Sequence, residues 1–483
     1  MKRRLILLAA ALAIICSKLP AQEQLGIGIS NYGGVNALLL NPANSQTLPT
    51  RWDANLLTFG QFFDNNYLFL ENTRLLDLWP GIANTEIRAV LEAEHRSAPA
   101  GSSVLDFYEN EQLKYGRSLT SVLGPSLLLH LDESRSVGLF TRLRAALDIR
   151  DLPPTLDYYR YNLQPFEVPL SIEPMQGSAL LWSEIGLNYA RHQSGYTGDW
   201  SFGFSLKWLQ GYESAYARNH RTFNLTQFPD NQLGGDPLHI SYGLASTALS
   251  HAQWRPQVNG HGLGIDAGVV YTVPGYGAQP YRWRLGASLL DFGFIRFHRS
   301  AEQHVLRTEA PRVIQIDALE IPTEMGDVGD VLQNLSTQLL DNPATSLASQ
   351  GLTMGLPTGF SAQADWCATP ALFINATLVQ SIAIQDIAPR RNNLLAITPR
   401  LETRWVEIAA PISWLNWQHW RTGLAARAGW LWFGTDDLAS IFKKSDFHRT
   451  DFYVALKLNP ALFQSALQGR QATRNGRVSC PVF

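Results

Sequence analysis

The side chains of this 483-residue sequence that could take part in catalysis are scattered along the chain. A histidine beside a serine could hydrolyse an ester bond, and His130, His239, His251 and His419 all have serines nearby, although any large protein offers such pairs. The sequence contains no G-x-S-x-G nucleophile motif, no H-E-x-x-H motif and no other histidine spacing typical of a metal site. We therefore predict that the protein is not an enzyme.

Two further patterns could bind a ligand, and each has a simpler explanation. The spaced glycines of "GHGLGIDAG" (residues 260–268) suggest a nucleotide-binding loop, but the sequence continues as a strand rather than as a turn and a helix. The acidic group "TDD" (residues 435–437) could bind a cation together with Asp446, although ordinary turn chemistry explains these residues equally well. We predict no bound cofactor and no metal ion.

A cleavable secretory signal is predicted over residues 1–21. It has a basic start, an apolar run over residues 5–15 and a small-residue ending at Ala21, after which cleavage is expected. Cys16 could carry a lipid in a lipoprotein, but Ile15 stands before it, where such a site needs a small residue. The mature chain is therefore predicted to begin near residue 22 and to be exported.

The composition argues against several classes of protein. The 39 cationic residues are spread along the chain without a basic run, so no nucleic-acid partner is expected. No uninterrupted apolar stretch of about eighteen residues follows the signal, so no transmembrane helix is predicted. The sequence leaves open whether Cys367 and Cys480 are joined by a disulfide or stay as free thiols. Abundant aromatic residues and glycine with only 17% charged residues are typical of a large β protein.

Alternation with a period of two residues is the strongest pattern in the sequence. Because successive side chains of a strand point to opposite faces, such a segment has one apolar face and one small or polar face. The clearest case is "WSFGFSLKWLQGYE", whose apolar face is predicted to meet lipid through Trp200, Phe202, Phe204, Leu206 and Trp208. On other strands the opposite face carries charged residues, among them Arg142, Arg144, Asp266 and Lys457, which would line the interior of a barrel.

The length of these segments favours a membrane barrel over a soluble fold. Strands of soluble proteins usually have about five or six residues, whereas a tilted membrane-crossing strand needs about nine to eleven. A soluble β-sandwich or propeller, or a secreted adhesin or lectin, stays an alternative because alternation does not show which face meets water. We predict an all-β protein, a transmembrane antiparallel barrel of about fourteen strands within residues 53–458. The predicted strands are 53–62, 118–131, 136–149, 178–192, 199–213, 238–250, 261–273, 282–297, 311–319, 355–366, 371–384, 393–405, 420–433 and 450–458.

Two insertions and a tail do not follow the strand pattern. Residues 71–117 and 320–350 contain segments with helical spacing, and insertions of this size in a barrel usually form a cap or a plug. Residues 459–483 lose the alternation after Phe463 and are predicted to form a periplasmic tail.

The segment over residues 22–52, ahead of the first strand, carries a short apolar run that ends in a sharp break. An asparagine before a proline favours an extended or turn conformation, and the leucines require burial. This pattern resembles the N-terminal hatch of the FadL/TodX family, fourteen-stranded outer-membrane transporters of hydrophobic compounds. The resemblance implies that the segment plugs the barrel from within, through Leu38, Leu39, Leu40, Asn41, Pro42, Ala43 and Asn44.

A closer similarity is to an uncharacterised Gram-negative outer-membrane family, domain-of-unknown-function family 5723. It rests on the sequences at 28–44, 64–70, 262–272 and 432–458. The similarity implies an outer-membrane location in contact with lipid, and it supplies no catalytic residues. We expect either a conduit for a hydrophobic small molecule, or a structural barrel that binds other envelope proteins.

Overall fold

The computed structural model of the chain describes residues 23–78, 85–154, 156, 166–229, 232–247, 256–315 and 328–460. The predicted signal sequence, Cys16, His251, Cys480 and most of the predicted tail lie outside the described residues. The strands are β1 (Trp52–Asn65), β2 (Leu68–Thr73), β3 (Thr85–Ile87), β4 (Ser103–Phe107), β5 (Lys114–Leu123), β6 (Ser126–His130), β7 (Arg135–Leu152), β8 (Pro169–Ile172), β9 (Gln176–Gln193), β10 (Asp199–Asn219), β11 (Phe223–Phe228), β12 (Gln232–Gly235), β13 (His239–Ala245), β14 (Gly260–Val273), β15 (Trp283–Phe297), β16 (Ala301–Arg307), β17 (Arg312–Gln315), β18 (Leu347–Ser349), β19 (Leu352–Gly355), β20 (Gly359–Cys367), β21 (Leu372–Ser381), β22 (Leu394–Glu402), β23 (Val406–Ala409), β24 (Ile412–Leu415), β25 (His419–Thr422), β26 (Leu424–Ala428), β27 (Leu431–Thr435), β28 (Ser445–Phe447) and β29 (Arg449–Leu458). The helices are α1 (Leu25–Gly28), α2 (Val35–Leu38), α3 (Arg88–Ala93), α4 (Val328–Leu340) and α5 (Leu438–Phe442), with 3₁₀ helices at Pro42–Thr47 and Leu75–Asp77.

The wall of the molecule is a closed antiparallel barrel of 14 strands, as predicted. It closes because β1 pairs with β5 and β6 on one side and with the last strand, β29, on the other. Several wall strands consist of consecutive segments that continue one another, namely β5–β6, β13–β14, β15–β16, β18–β20, β23–β24 and β25–β26. Full closure leaves no unpaired sheet edge, which is what allows strands to cross a membrane.

The predicted strand count is correct, but only because the errors cancel: the prediction contains two wall strands too many in one part of the chain and two too few in another. Segments 238–250 and 261–273 form a single wall strand, because β13 and β14 both pair with β10. Segment 311–319 is not part of the wall, since β17 pairs with β12 in a separate small sheet.

The structure contains two wall strands more than the sequence indicated over residues 406–435. Segment 420–433 divides into two strands at Gly429, whose φ of 60° makes a tight turn in the middle of an alternating pattern. The strand formed by β23 and β24 was not predicted, because Pro411 interrupts its pattern between the two segments.

The two ends of the barrel differ. Connections at one end are short, over 131–134, 194–198, 274–282, 368–371, 403–405 and 429–430. The opposite end carries the long connections, over 66–113, 153–175, 220–238, 308–346, 382–393 and 436–448. Outer-membrane barrels have short periplasmic turns and long extracellular loops, so the end with the short turns is the periplasmic one.

The long connections build folded structure outside the wall. Strands β8, β11, β12 and β17 form a four-stranded sheet, and β2, β3, β4 and β28 form another. Helix α4, within the second predicted insertion, lies against the first of these sheets. The resulting apolar core contains Ile172, Phe223, Leu238, Leu306 and Leu339. Among the described residues, no helix combines the length and apolar character that crossing a membrane requires.

Apart from a few bulges, the wall alternates between its two faces. On β10, the side chains of Trp200, Phe202, Phe204, Leu206 and Trp208 are 44%, 51%, 44%, 42% and 46% exposed on the outer face. Their neighbours Ser201, Ser205, Lys207 and Leu209 point inward and are buried. The inside of the barrel is therefore occupied, and the residues that occupy it determine whether a molecule could pass through.

Candidate functional site: the barrel lumen

The N-terminal segment, residues 23–50, lies in the lumen. Its backbone NH groups donate to side chains of the wall: Gly26 N to the Tyr453 hydroxyl at 2.8 Å and Val35 N to Asp53 at 3.0 Å. Further along the wall, Asn188 donates to the carbonyl oxygen of Pro42 at 3.2 Å. These partners belong to β29, β1 and β9, which lie within five neighbouring strands of the wall.

The leucines of the segment are buried on two sides of the lumen. Leu38 packs with Val35, Leu123, Leu128 and Phe140. Leu40 packs with Leu25 of the same segment and with Phe62, Val379, Leu394 and other residues of a different part of the wall. Leu39 is only partly buried and lies against the first of these clusters. The apolar run therefore holds the segment against two parts of the barrel wall.

The Asn41-Pro42-Ala43 break lies against a flat area of β10, β14 and β15 that we call the glycine patch, formed by Gly203, Gly268 and Gly286. Gly203 and Gly268 are cross-strand partners, and Gly286 lies on the next strand. A Cβ atom at any of the three would lie closer than 3.0 Å to Asn41, Pro42 or Ala43. The Asn41 side chain donates to the carbonyl oxygen of Val269 at 3.1 Å and to Gln363 at 3.2 Å. Asn44 instead closes the segment on itself, donating to the Ala37 carbonyl at 3.2 Å.

Replacing Gly203 by alanine should displace the Pro42–Ala43 peptide. The added methyl group meets backbone rather than a flexible side chain, and overpacking of this kind costs about 1–3 kcal/mol. We expect a lower unfolding midpoint in lipid vesicles and faster thermolysin cleavage within residues 31–45. Gly177→Ala is the matched control, because a Cβ there would meet Ile149 at an ordinary 3.7 Å. Equal behaviour of the two variants would contradict the close fit.

The remaining contacts of the segment are with charged side chains of the wall. The Ser30 hydroxyl donates to Glu407 at 2.7 Å, and Asn31 donates twice to Glu402. The guanidinium of Arg427 lies 4.2 Å from the centre of the Tyr32 ring. Burial raises the pKa of the Tyr32 phenol, an effect that the Arg427 charge opposes. The segment is thus bonded at points along its whole length.

A layer of buried charges crosses the lumen, with Asp291 at its centre. Asp291 accepts from Arg144 at 2.9 Å and from Lys207 at 2.6 Å, and it also pairs with Arg391. Lys207 bridges to Asp266 at 2.6 Å. The charged layer comprises four cations and four anions: Arg142, Arg144, Lys207, Arg391, Glu23, Glu184, Asp266 and Asp291. Its charges therefore balance, as buried charges must.

Arg391 joins the N-terminal segment to an extracellular connection. It lies in residues 382–393, which fold back into the barrel: the Ile387 carbonyl accepts from Gly355 N at 2.8 Å. One nitrogen of the Arg391 guanidinium contacts Glu23 at 2.9 Å, and the other contacts Asp291. The lumen is thus occupied by one segment from the periplasmic side and another from the extracellular side, which meet at Arg391.

The space left in the lumen is divided among separate cavities. A cavity of about 390 Å³ opens at the periplasmic end, where Asn31, Tyr32, His192, Asp199 and Arg284 are among its lining residues. Beside Ala37 and Leu40 the described residues leave a cavity of only about 30 Å³. Another, beside Arg144 and Arg391, measures about 20 Å³. The cavity beside Ala37 and Leu40 is thus far smaller than the apolar pocket that a conduit would need near residues 37–43.

The sequence indicated some of these residues and missed others. Arg142, Arg144, Asp266 and Lys457 were expected to line a lumen, and all four are inward and buried. Asp291 was missed, since it interrupts the apolar run "LLDFGF" with a φ of 54° at a bulge between β14 and β15. That single acid within an apolar strand is the signal that could have pointed to it.

The side chains considered for catalysis or metal binding make other contacts. His130 donates to the Ser45 carbonyl at 2.8 Å, His239 stacks on His220, and His419 lies 3.1 Å from the Tyr115 hydroxyl. In the acidic group, Asp437 pairs with Arg449 at 2.8 Å and Asp436 accepts from Leu25 N. No cluster of three potential metal ligands occurs in the described residues.

Outside the predicted candidates, the tightest serine–histidine–acid arrangement in the described residues is at His304. His304 lies 3.0 Å from the Ser346 hydroxyl and 3.2 Å from Glu302. Ser346 is only 1% exposed, so a substrate carbonyl could not reach its oxygen. We therefore attribute a structural role to this group.

A closed antiparallel barrel of 14 strands, apolar outside and filled with polar contacts inside, defines an outer-membrane β-barrel protein. A family model described as "Family of unknown function (DUF5723)" matches residues 108–436, about two thirds of the sequence. The chain belongs to this family.

Comparisons with solved structures return outer-membrane channels. The chain is similar to the TodX deltaS2S3 mutant monoaromatic hydrocarbon channel at 9% identity and a TM-score of 0.41, covering 89% of this chain and 95% of that one. A FadL homologue of Pseudomonas aeruginosa gives 8% identity and a TM-score of 0.25, with 88% and 94% covered. At these TM-scores neither similarity bears on function.

A curated relative matches only in part. The chain is 27% identical over 170 residues to the teichoic acids export ATP-binding protein TagH of Levilactobacillus brevis. The match covers 32% of this chain and 46% of TagH, so the chain spans less than half the length of that relative.

Proposed function

We propose that this outer-membrane barrel is closed, and that it acts as a structural or partner-binding component of the envelope rather than as a conduit. Residues 38–44 would act as part of a plug, as the sequence suggested. The observation that carries the proposal is the charged layer around Asp291. A hydrophobic molecule crossing the lumen would have to separate buried ion pairs, and an uncompensated buried charge is strongly unfavourable.

The extracellular structure supports a partner-binding role. Short loops would suffice to connect the wall strands, yet this chain builds two small sheets there, one of them with its own apolar core under α4. Folded structure of this kind offers a defined surface to another envelope protein. A protein partner is therefore proposed on the extracellular side.

A conduit for a hydrophobic small molecule is the second candidate. The cavity of about 390 Å³ at the periplasmic end favours it, because this cavity lies between the N-terminal segment and the wall. Movement of the segment would enlarge the cavity, but the charged layer would still have to open.

The two functions can be separated in liposomes that enclose albumin as an acceptor. We expect the wild-type protein to leave the entry rate of a hydrophobic fluorophore unchanged from protein-free liposomes. In planar bilayers, ion conductance should rise only when deletion of residues 31–45 is combined with replacement of 382–393 by glycine and serine, because two barriers lie in series. Replacement of the turn at 194–198 is the control. Fluorophore entry accelerated by the wild-type protein would contradict the closed barrel and support the conduit.

We also propose that the outer apolar band contacts the hydrocarbon of the membrane. On β10 it runs from Trp200 to Trp208, which is about 20 Å along the membrane normal for a strand tilted at about 40°. This height is close to the apolar band of about 25 Å found on outer-membrane barrels. Phe204 would lie near the centre of the membrane, and Gln210 just outside its apolar part.

A further inference from the structure

A group of basic side chains lies on the outer wall, directly above the apolar band. His261 of β14 is the cross-strand partner of Arg296 of β15, and His298 and Arg299 follow β15. The imidazole rings of His261 and His298 are 5.9 Å apart, and the His261 ring stacks on Trp208 of β10 at 6.1 Å. All four basic side chains are exposed. The four basic residues thus lie on two adjacent wall strands, beside Trp208 of a third, and we call this group the basic edge.

The position of the basic edge is at the extracellular boundary of the apolar band. Below the basic edge, on the side of the apolar band, the outward row of β14 continues with Leu263. The outward row of β15 has Phe292 and Phe294 there, and all three side chains are exposed. The guanidinium of Arg296 lies 5.3 Å from the centre of the Phe294 ring. An arginine that rests on an aromatic ring at this level reaches the layer of lipid headgroups.

The arginines of the basic edge differ from those of the lumen in having no acidic partner among the described residues. Inside the barrel, Arg144 pairs with Asp291, Arg400 with Asp365 and Arg427 with Glu407. Neither Arg296 nor Arg299 forms an ion pair with any residue that the structure describes. An unpaired cationic group that faces outward at the membrane surface is complementary to an anion of the membrane itself.

We propose that the basic edge binds the phosphate of a phosphorylated glycolipid in the outer leaflet. The guanidinium of Arg296 donates two parallel hydrogen bonds to phosphate oxygens, a geometry that suits arginine better than lysine. His261 and His298 contact the same headgroup from the neighbouring positions. The acyl chains lie against Leu263, Phe292 and Phe294 below. This inference rests on the proposed lipid contact of the apolar band and not on the closed lumen.

The test measures binding of diphosphorylated lipid A to the purified protein in detergent by native mass spectrometry. For the double variant Arg296→Gln/His298→Gln we expect binding about tenfold weaker, which corresponds to the loss of one charge-assisted contact. Arg191→Gln is the matched control. Arg191 is an exposed arginine on the outer face of β9, opposite Phe202, at the periplasmic end of the wall. Its replacement should leave the binding of lipid A unchanged.

Two further probes decide the source of the phosphate. Lipid A from which both phosphates have been removed should bind about tenfold more weakly to the wild-type protein, and inorganic phosphate should not compete at equal concentration. Equal binding of the dephosphorylated lipid, competition by inorganic phosphate, or equal losses in the control variant would each overturn the proposal. The liposome experiment is independent of these results, so a failure here leaves the proposed closed barrel intact.

Discussion

Replacing Asp291 by asparagine should lower the free energy of unfolding by about 3–5 kcal/mol, the cost of breaking a buried ion pair from one side. The change leaves Arg144, Lys207 and Arg391 around an uncharged amide, and all three cations are buried. Asparagine keeps the shape of the side chain and tolerates the φ of 54° at this position. The loss should therefore report the charge and not backbone strain.

The measurement is urea unfolding in lipid vesicles, followed by tryptophan fluorescence, together with the temperature at which the folded band disappears from a gel. Asp341→Asn is the matched control, because Asp341 pairs with Arg312 at 2.7 Å while both side chains are largely exposed. An exposed pair contributes about 0–1 kcal/mol. If both variants unfold at the same urea concentration, the charged layer does not hold the barrel together.

Replacing Phe204 by arginine should destabilise the barrel by about 2–4 kcal/mol, the cost of an arginine on the lipid face at the centre of a membrane. Phe204 is exposed on the outer wall among apolar neighbours, with Phe202 and Leu206 on either side of it in the same row. No inward contact is lost by the change. The expected loss of stability therefore arises only if Phe204 contacts lipid.

The control for Phe204 is the same substitution at the edge of the band. Gln210→Arg lies in the same outward row of β10, where the cost of a charge falls to about 0–1 kcal/mol. Both variants would be compared by urea unfolding in vesicles. Equal stability of the two, or better solubility of Phe204→Arg without detergent, would show that the row does not meet hydrocarbon.

The alternating pattern was sufficient to predict the wall because each strand obeys it locally. The row from Trp200 to Trp208 has the outward orientation that its period of two requires. The boundaries were less accurate where backbone geometry overrides the pattern. Gly429 turns the chain inside an unbroken alternation, and Pro411 hides a real strand. Such local exceptions changed the positions of strands without changing their number.

The filling of the lumen could be predicted only in part, because it depends on contacts between distant residues. The Leu38–Leu40 run and the Asn41-Pro42 break indicated a segment that needs shelter. Nothing in the sequence indicated that residues 382–393 would fold inward, since extracellular loops usually stay at the surface. The pairing of Glu23 with Arg391 joins residues 368 positions apart, and no local pattern specifies it.

The seam between β1 and β29 places a constraint on how the molecule is assembled. β1 can pair with β5 and β6 early, but it can pair with β29 only after the chain up to Leu458 has been delivered, since Ala54 lies opposite Leu458. The N-terminal segment is available from the beginning, and it touches this late strand through Tyr453 and Lys457. Residues 23–50 can therefore serve as an internal template, around which the sheet bends before its first and last strands pair.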